Sequence, residues 1–462
     1  MSEDELITPK HIQVIKMVMI PVIFFIWGVG VGGFNIFPFQ IVEKPLNNLQ
    51  SWWFGAQEGR QLSLSQKLSD LLLDSELRIS GKSEVDKRFK LKLKPIKDPL
   101  GLLKESTRKL WFYSVHNDGY YVIFFIPKLP NARYAAAVIN GSGELIKLIK
   151  VPISPESITT LGQGGVTDDG SLIFNSYFDL RVTDICGQVK FHIPMGDGPV
   201  FALGQGIGFH HKSSGDGQHI WSWYGNEIRQ YSLSQKKLLK QISLDELISA
   251  NPDSAIFEAR LIKSNKKGTI GQWKYADFSN GLLASQIALH DPFHQNDVDV
   301  LTPQRATLFP QFKAGDLLLS FRSINLITVI DPQTLKVKWF HYGDFSRQHD
   351  PDWGLDGKIT VYDNRSHQST SRIISIDPLT HKVETLIDGD DWGFYQFAQG
   401  NHQYTGEDRV LFTNDSEAIH ATNDRLDFYF KYVTAKGSPL DIGTVYYLNE
   451  ARYENWLSAC QH

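Results

Sequence analysis

The sequence predicts an all-β protein, a six-bladed β-propeller that follows one N-terminal transmembrane helix and a short neck. Three observations support this fold class: turn motifs recur at a regular interval, aromatic residues are abundant, and a long apolar run lies near the N-terminus. The chain has 462 residues, with 28 Phe, 17 Tyr and 11 Trp. Such an aromatic content is typical of β-rich cores.

The composition excludes several classes of protein. With 42% apolar and 21% charged residues, the chain has the make-up of an ordinary globular protein. Its formal net charge of −4 gives no electrostatic reason to expect a nucleic-acid partner. Cys186 and Cys460 are the only cysteines, and they are too far apart to indicate a CxxC metal site or a disulfide framework. Whether they pair stays open, as does the oligomeric state.

The N-terminal region predicts a membrane anchor. Residues 1–11 are polar, and residues 12–39 are almost entirely apolar. A run of about 20 apolar residues can cross a bilayer, and no clear small-residue cleavage site follows it. We predict a cytoplasmic tail over 1–11 and an uncleaved transmembrane signal anchor over 12–39. A cleaved signal peptide or a buried core helix is the alternative.

Charges around the span predict its orientation. Lys10 and Lys16 precede or begin the apolar run, and basic residues favour the cytoplasmic side. The expected location is therefore the inner (cytoplasmic) membrane, single-pass, with the propeller in the periplasm or outside. Residues 40–108 are predicted to form a neck or linker with a helix and a basic strand. The basic run Lys82–Lys97 is interpreted as a solvated strand face, with contact to anionic lipid as the alternative.

A repeat of turns and short strands fills the predicted propeller, residues 109–462. Two sets of turn motifs mark it, beginning at Asn140, Asp184, Ser232, Asp331 and Asp377, and at Asp169, Asp216, Gly315, Asp356 and Gly406. Both sets keep a spacing of roughly 45 residues, the period of four-stranded propeller blades. Both skip one interval, which predicts an insertion at about 244–293, with a missed blade as the alternative. Counting a last repeat at Tyr432–Leu448 gives six blades.

Several polar groups lie near the ends of predicted strands in different repeats. They are His349, His294, Arg322 and the pair His210 and His211. Loops of successive blades meet at one end of a propeller's channel, so we predict that these groups converge in one pocket, with His349 as nucleophile. The alternative is that each histidine is an ordinary surface or structural residue.

The residue types indicate an anion site more than a metal site. Histidine clusters bind zinc or copper, but a guanidinium among the ligands would repel a cation. The fork of Arg322 suits sulfate or phosphate oxygens, and a neutral imidazole can attack sulfur or phosphorus to form a covalent intermediate. The phosphate-loop, GxSxG and strand-linked GxGxxG motifs do not occur in the sequence. No cofactor, metal or nucleotide donor is therefore expected.

An ordered set of motifs resembles the bacterial, PAPS-independent arylsulfotransferase family. The motifs are His294–Asn296, Gly315–Arg322, Thr328–Thr334, Gln348–Asp350 and Tyr362–Asn364. The resemblance covers roughly residues 160 to 450. It implies a six-bladed propeller exported to the periplasm, and a ping-pong transfer of a sulfuryl group from an aryl sulfate to a phenolic acceptor.

The resemblance also assigns roles to residues. By position, His349 matches the sulfated nucleophile, and His294 and Arg322 match groups that bind and polarise the sulfuryl oxygens. Either His210 or His211 matches an upstream catalytic histidine. Lys212 departs from the family, which commonly has Asp there, and the stretch between His294 and Arg322 is longer than usual. Residues assigned to substrate binding are Asn296, Asp350, Asn364 and Arg372.

The predicted function is a membrane-anchored, sulfotransferase-like enzyme that uses a small-molecule sulfate donor and a hydroxyl acceptor. The acceptor is left open among a phenol, a glycan and a lipid head group. A non-catalytic propeller acting as a binding or scaffold module in the cell envelope is the alternative, favoured by Lys212 and the anchor. A quinone-dependent dehydrogenase is a third hypothesis, but the chain has no vicinal Cys pair and no regular Trp repeat.

Overall fold

The computed structural model divides the chain into two units. It describes residues 94–96, 108–115, 118–126, 134–151, 164–175, 179–194, 209, 211–252, 261–263, 273–275, 293–365, 368, 370–396, 399–414, 417–434 and 441–458. One unit comprises Met1–Asp74 and Glu258–Pro292. Its described part is a pair of antiparallel strands, Leu261–Lys263 and Trp273–Tyr275. The other unit, Ser75–Phe257 and Phe293–His462, contains the propeller.

The propeller consists of six antiparallel sheets, here called blades 1 to 6. From the innermost strand outward, blade 1 is Asp441–Leu448, Tyr120–Ile126, Tyr134–Asn140 and Leu145–Val151; blade 2 is Gly164–Val166, Leu172–Asn175, Asp179–Thr183 and Val189–Pro194; blade 3 is Ser214–Gly215, His219–Tyr224, Glu227–Ser232 and Lys237–Ser243. Blade 4 is Gln295–Val300, Leu317–Phe321, Leu326–Ile330 and Val337–Tyr342; blade 5 is His349–Trp353, Ile359–Asp363, Arg372–Ile376 and Val383–Asp388. Blade 6 is His402–Gly406, Arg409–Asn414, Glu417–Ala421 and Leu426–Thr434, extended by Arg108–Ser114 and Lys94–Ile96.

Short helices lie between and after the strands. They are the α-helices Leu244–Ala250, Pro303–Ala306, Gly389–Trp392 and Glu450–Ser458, and the 3-10 turn Arg322–Ile324. Ser243 caps the first of them through a reciprocal pair of hydrogen bonds with Glu246. This helix directly follows the outer strand of blade 3, within the segment predicted as an insertion.

Six blades confirm the predicted number and the all-β class, but one repeat was assigned wrongly. The segment Tyr432–Leu448 does not form a blade of its own. Its first part belongs to the strand Leu426–Thr434 in blade 6, and Asp441–Leu448 is the innermost strand of blade 1. The ring thus closes by pairing the last strand of the chain with Tyr120–Ile126, a contact that no local repeat pattern encodes.

Burial explains why each strand takes its place in a blade. The middle strands Leu317–Phe321 and Leu326–Ile330 are buried at every position. Both are nearly continuous apolar runs, which are typical of fully buried strands. The outer strand Val337–Tyr342 alternates between exposed and buried side chains after its first residue. Neighbouring blades pack through shared apolar clusters, one of which joins Leu318 of blade 4 to Trp353 of blade 5.

The C-terminal helix packs on blades 1 and 2. Tyr453 and Trp456 of Glu450–Ser458 are buried in the cluster that also contains Ile185 and the partly buried Cys186. Cys186 is disulfide-bonded. The chain's other cysteine, Cys460, lies outside the described residues.

Several predictions for the N-terminal region fall outside the described residues. These are the tail over 1–11, the anchor over 12–39 and most of the neck over 40–108. Within the described part of the chain, no helix combines the length and apolarity needed to cross a membrane. The two described strands of the predicted neck and its border, Lys94–Ile96 and Arg108–Ser114, extend blade 6.

Candidate active site at the channel mouth

The predicted site residues occupy equivalent positions in two blades. His294 directly precedes the inner strand of blade 4, and His349 begins that of blade 5. Arg322 and Asn364 directly follow the second strands of the same blades. Because these strands are antiparallel, a strand start and the neighbouring strand end lie together. Accordingly, the Arg322 amide donates to the His294 carbonyl at 3.1 Å.

Four of the predicted side chains come together. The ring centroid of His211 lies 5.2 Å from that of His294 and 6.0 Å from that of His349. Arg322 Nη1 is 2.9 Å from His294 Nε2. Blades 4 and 5 and the segment that enters blade 3 therefore contribute three imidazoles and one guanidinium to one site. His210 lies outside the described residues, so His211 is the member of the pair that can be placed.

Hydrogen bonds determine which nitrogen of His349 carries the proton. Asn364 Nδ2 donates to the carbonyl oxygens of Gln396 and Gln399, each at 2.6 Å. Its Oδ1 must then face His349, where it accepts from Nδ1 at 2.7 Å. Nδ1 is thus the protonated nitrogen and Nε2 carries the lone pair. Within the described part of the chain, the buried Nε2 has no hydrogen-bond partner.

The electrostatic environment keeps His349 neutral. Burial lowers the pKa of His349 to about 3, helped by the cationic Arg322 and by His294, while the bond to Asn364 opposes the shift. His349 is only 1% exposed to solvent. At neutral pH the imidazole therefore has the uncharged form that a nitrogen nucleophile requires.

The pair of His294 and Arg322 adds positive charge without protonating a second ring. A guanidinium can only donate, so Nε2 of His294 accepts from Arg322. His294 then carries a proton on Nδ1 and is neutral in this arrangement. The site thus has one fixed cation, Arg322, beside the neutral imidazoles of His294 and His349, which suits an anionic group with several oxygens.

The backbone around the site is held in an uncommon conformation. His211, His294 and Asp350 have positive φ values of 59°, 44° and 52°. Such left-handed geometry is rare for residues other than Gly and is retained where surrounding contacts enforce it. Next to Asp350, Asn296 Nδ2 donates to the Gln348 carbonyl at 2.7 Å, directly before His349.

The residues assigned to substrate binding make contacts within the protein. Asn364 orients His349, and Asn296 holds the Gln348 carbonyl. Arg372 donates to Asp363 at 2.8 Å and to the Asp344 carbonyl at 2.6 Å. Asp350 is bonded to Lys212 at 2.6 Å. Their part in binding a substrate stays a prediction, and these contacts give each of them a supporting role.

A buried ionic layer beneath the site was missed by the sequence analysis. Lys212, Asp297, Asp350 and His402 are buried in it, and Asp352 is partly buried. Burial raises the pKa of Asp297 and Asp352, whereas Lys212, the main opposing charge, lowers the pKa of Asp350. A signal was present in the recurring polar pairs at strand starts, which are His211–Lys212, Asn296–Asp297, His349–Asp350 and Asn401–His402.

Comparison with known proteins identifies one family. Residues 209–426 match the model of the arylsulfotransferase (ASST) family. No curated protein sequence matches the chain.

Solved structures give fold likeness at low identity. A protein of unknown function from Bacteroides caccae is 9% identical over 72% of this chain and 100% of its own, with a TM-score of 0.42. The virginiamycin B lyase from Staphylococcus aureus is 13% identical over 70% of this chain and 88% of its own, with a TM-score of 0.36. The Pan2 WD40 domain from Neurospora crassa is 10% identical over 67% and 80%, with a TM-score of 0.34. At these values the likenesses say nothing about function.

Proposed function

We propose that the chain, whose residues 209–426 match the arylsulfotransferase family, transfers a sulfuryl group from an aryl sulfate to a hydroxyl acceptor through a covalent intermediate on His349. One observation carries the proposal: Nδ1 of His349 is committed to Asn364. That bond leaves Nε2 unprotonated and buried, next to the cation of Arg322.

The first half-reaction forms the intermediate. The Nε2 lone pair of His349 attacks the sulfur, an N–S bond forms, and the bond from sulfur to the aryl oxygen breaks with its electron pair going to the aryloxide. Arg322 and His294, which lie together, stabilise charge on the sulfuryl oxygens, because fixed donors aimed at developing charge lower the barrier. Dividing the transfer into two steps makes each of them easier.

The second half-reaction regenerates the enzyme. The oxygen of a hydroxyl acceptor attacks sulfur, the N–S bond breaks, and its electron pair returns to Nε2. We assign the proton that the acceptor loses to His211, whose ring lies against those of His294 and His349. The same imidazole, once protonated, returns a proton to the departing aryloxide of the next donor. A positioned histidine contributes about 10² to 10⁴-fold in such proton transfers.

The location of the protein is a second part of the proposal. We place the propeller on the periplasmic or outer face of the inner membrane, anchored by residues 12–39. The disulfide at Cys186 supports an oxidising compartment. Release of the protein from membranes by detergent but not by alkaline carbonate would support the anchor, whereas full release by carbonate would contradict it.

Steady-state kinetics test the transfer. The full-length protein is incubated with 4-nitrophenyl sulfate and phenol, and 4-nitrophenol and phenyl sulfate are both measured. We expect equal amounts of both products and parallel reciprocal plots, the signature of a ping-pong route. Intersecting plots would contradict the covalent intermediate. Binding of aryl sulfates without turnover by any hydroxyl acceptor would instead favour the non-catalytic binding module.

A further inference from the structure

Adjacent residues at or just before the inner strands belong to two different groups. His211 and His349 belong to the site, and Asn296 supports it. The residues that follow them in the chain, Lys212, Asp297 and Asp350, form the second layer. These three are 4%, 0% and 1% exposed. Lys212, Asp297 and Asp350 are therefore removed from water, although each is the next residue in the chain.

Lys212 is the cation at the centre of the second layer. Its Nζ donates to Asp350 Oδ1 at 2.6 Å and also to Asp352. The other oxygen of Asp350 accepts from the His402 amide at 2.6 Å and from Asn401 Nδ2 at 2.8 Å. One ammonium thus links the segment entering blade 3 with blade 5, and Asp350 links blade 5 with blade 6.

The donors around this ammonium are those of a metal site. Ligand atoms of Asp350, Asp352 and His402 all lie within 4.8 Å of one another. A separate observation points the same way: Asp297 is fully buried, interacts electrostatically with Lys212 and both aspartates, and has no hydrogen-bond partner for either oxygen among the described residues. Carboxylates with one imidazole suit Mn²⁺ among the common divalent ions.

The layer is coupled to His349 through the backbone. The register of the inner strand of blade 5 shifts between His349 and Asp352, and Asp350 lies in this irregularity with a φ of 52°. Bulges of this kind re-aim side chains next to active sites. The direction of His349 therefore depends on how firmly the Asp350 carboxylate is held.

We infer that Lys212 is a positioning residue whose ammonium occupies a cation site: it holds Asp350 and thereby aims His349, and without it the same donors bind a divalent metal ion. The role of Lys212 in positioning His349 rests on the proposed function. The cation site does not, because its test measures the Tm of the protein.

A cavity borders the layer. This cavity, of about 100 Å³, is lined by Lys212, Asp299, Asp352, Thr302 and Arg305, among others. Lys212 and Asp352 belong both to this cavity and to the ionic layer. Removing the lysine side chain enlarges the same space and admits an ion.

The test compares full-length Lys212→Ala with wild type, with and without Mn²⁺. We expect the variant to melt at a lower temperature and to transfer sulfuryl groups at least about tenfold more slowly, since a truncated partner leaves buried charge unpaired. Added Mn²⁺ should raise both its Tm and its rate, and leave wild type unchanged. Lys338→Ala, which loses an ion pair to the buried Asp316, is the matched control and should not respond to Mn²⁺.

Each outcome is decisive. A Lys212→Ala variant that matches the wild-type rate without metal overturns the positioning role. Absence of any Mn²⁺ effect on its Tm, or failure to fold even with Mn²⁺, overturns the cation site. If wild type shows no transfer while the variant's Tm rises with Mn²⁺, the proposed function fails and the cation site stands.

A charge-balanced variant keeps the positioning role testable if the single variant is unstable. Lys212→Ala with Asp352→Asn removes one charge of each sign. We expect this double variant to fold and still to transfer slowly, because Asp350 lacks its ammonium. A wild-type rate in the double variant would overturn the positioning role.

Discussion

The site and the layer beneath it are neighbours along the same strands, yet they are built in opposite ways. His349 keeps one ring nitrogen without a hydrogen-bond partner in the described part of the chain, and it is neutral. Asp350, the next residue, is charged and accepts bonds from Lys212, Asn401 and the His402 amide. The reactive Nε2 of His349 is thus positioned by the next residue, Asp350, whose two carboxylate oxygens both accept hydrogen bonds. Variants of His349 and of the residues around it separate these two kinds of residue.

Replacement of the nucleophile has the largest expected effect. His349→Ala should lower the rate of sulfuryl transfer by at least about 10⁴-fold, because loss of a covalent nucleophile costs several orders of magnitude. The assay is release of 4-nitrophenol with phenol as acceptor. His219→Ala, which removes a histidine paired with Asp216 at 3.1 Å, should keep the wild-type rate. A His349→Ala rate within tenfold of wild type would contradict the assignment.

Removal of the hydrogen bond that fixes the tautomer of His349 should lower the rate of sulfuryl transfer less. Asn364→Leu removes the acceptor for Nδ1 of His349, so the proton can move to Nε2 and mask the nucleophile. We expect a rate about 10²-fold lower, less than the roughly 10⁴-fold loss for a catalytic histidine deprived of a charged orienting partner, because Asn364 is neutral. Asn414→Leu is the matched control, since Asn414 is a buried asparagine at the end of the second strand of blade 6. Equal rates for the two variants would show that the orientation of His349 does not matter.

The neutral, buried state of His349 should appear in the pH dependence of stability. Its pKa is about 3 in the folded protein against the ordinary 6.5. Between these values the unfolded chain binds a proton that the folded chain does not, so stability falls as the pH is lowered through this window. The contribution approaches about 1.4 kcal/mol per pH unit.

Urea unfolding at several pH values between about 4 and 7 measures this contribution. His349→Gln lacks the titrating ring, so its free energy of unfolding should decline less steeply with acid than that of wild type. Parallel declines would mean that His349 titrates normally in the folded state.

The smallest effect is expected at Arg372. Its guanidinium is occupied by Asp363 and the Asp344 carbonyl, so Arg372→Ala should change KM for the aryl sulfate by less than about threefold. Stability should fall, since the buried Asp363 loses its cationic partner, although the amides of Ser346 and Arg365 still donate to it. A large rise in KM with unchanged Tm would restore Arg372 as a substrate-binding residue.

The sequence predicted the parts of the molecule that repeat. Regular turns predicted six blades, and matched strand ends predicted that His294, Arg322 and His349 would meet. The closing strand Asp441–Leu448 was missed because its partner lies at the other end of the propeller. Lys212 was noted only as a departure from the family pattern, whereas its ammonium pairs with Asp350 and Asp352 in the layer below the site. The orienting role of Asn364 depends on the carbonyls of Gln396 and Gln399, which no local pattern connects to it.

Intact-protein and peptide mass spectrometry after brief exposure to an aryl sulfate tests the central claim most directly. With no acceptor present, we predict that wild type gains the mass of one SO₃ group, that the adduct maps to His349, and that a phenol removes it. His349→Ala should gain nothing. An active wild type without the adduct, or with the same adduct in His349→Ala, would contradict the account.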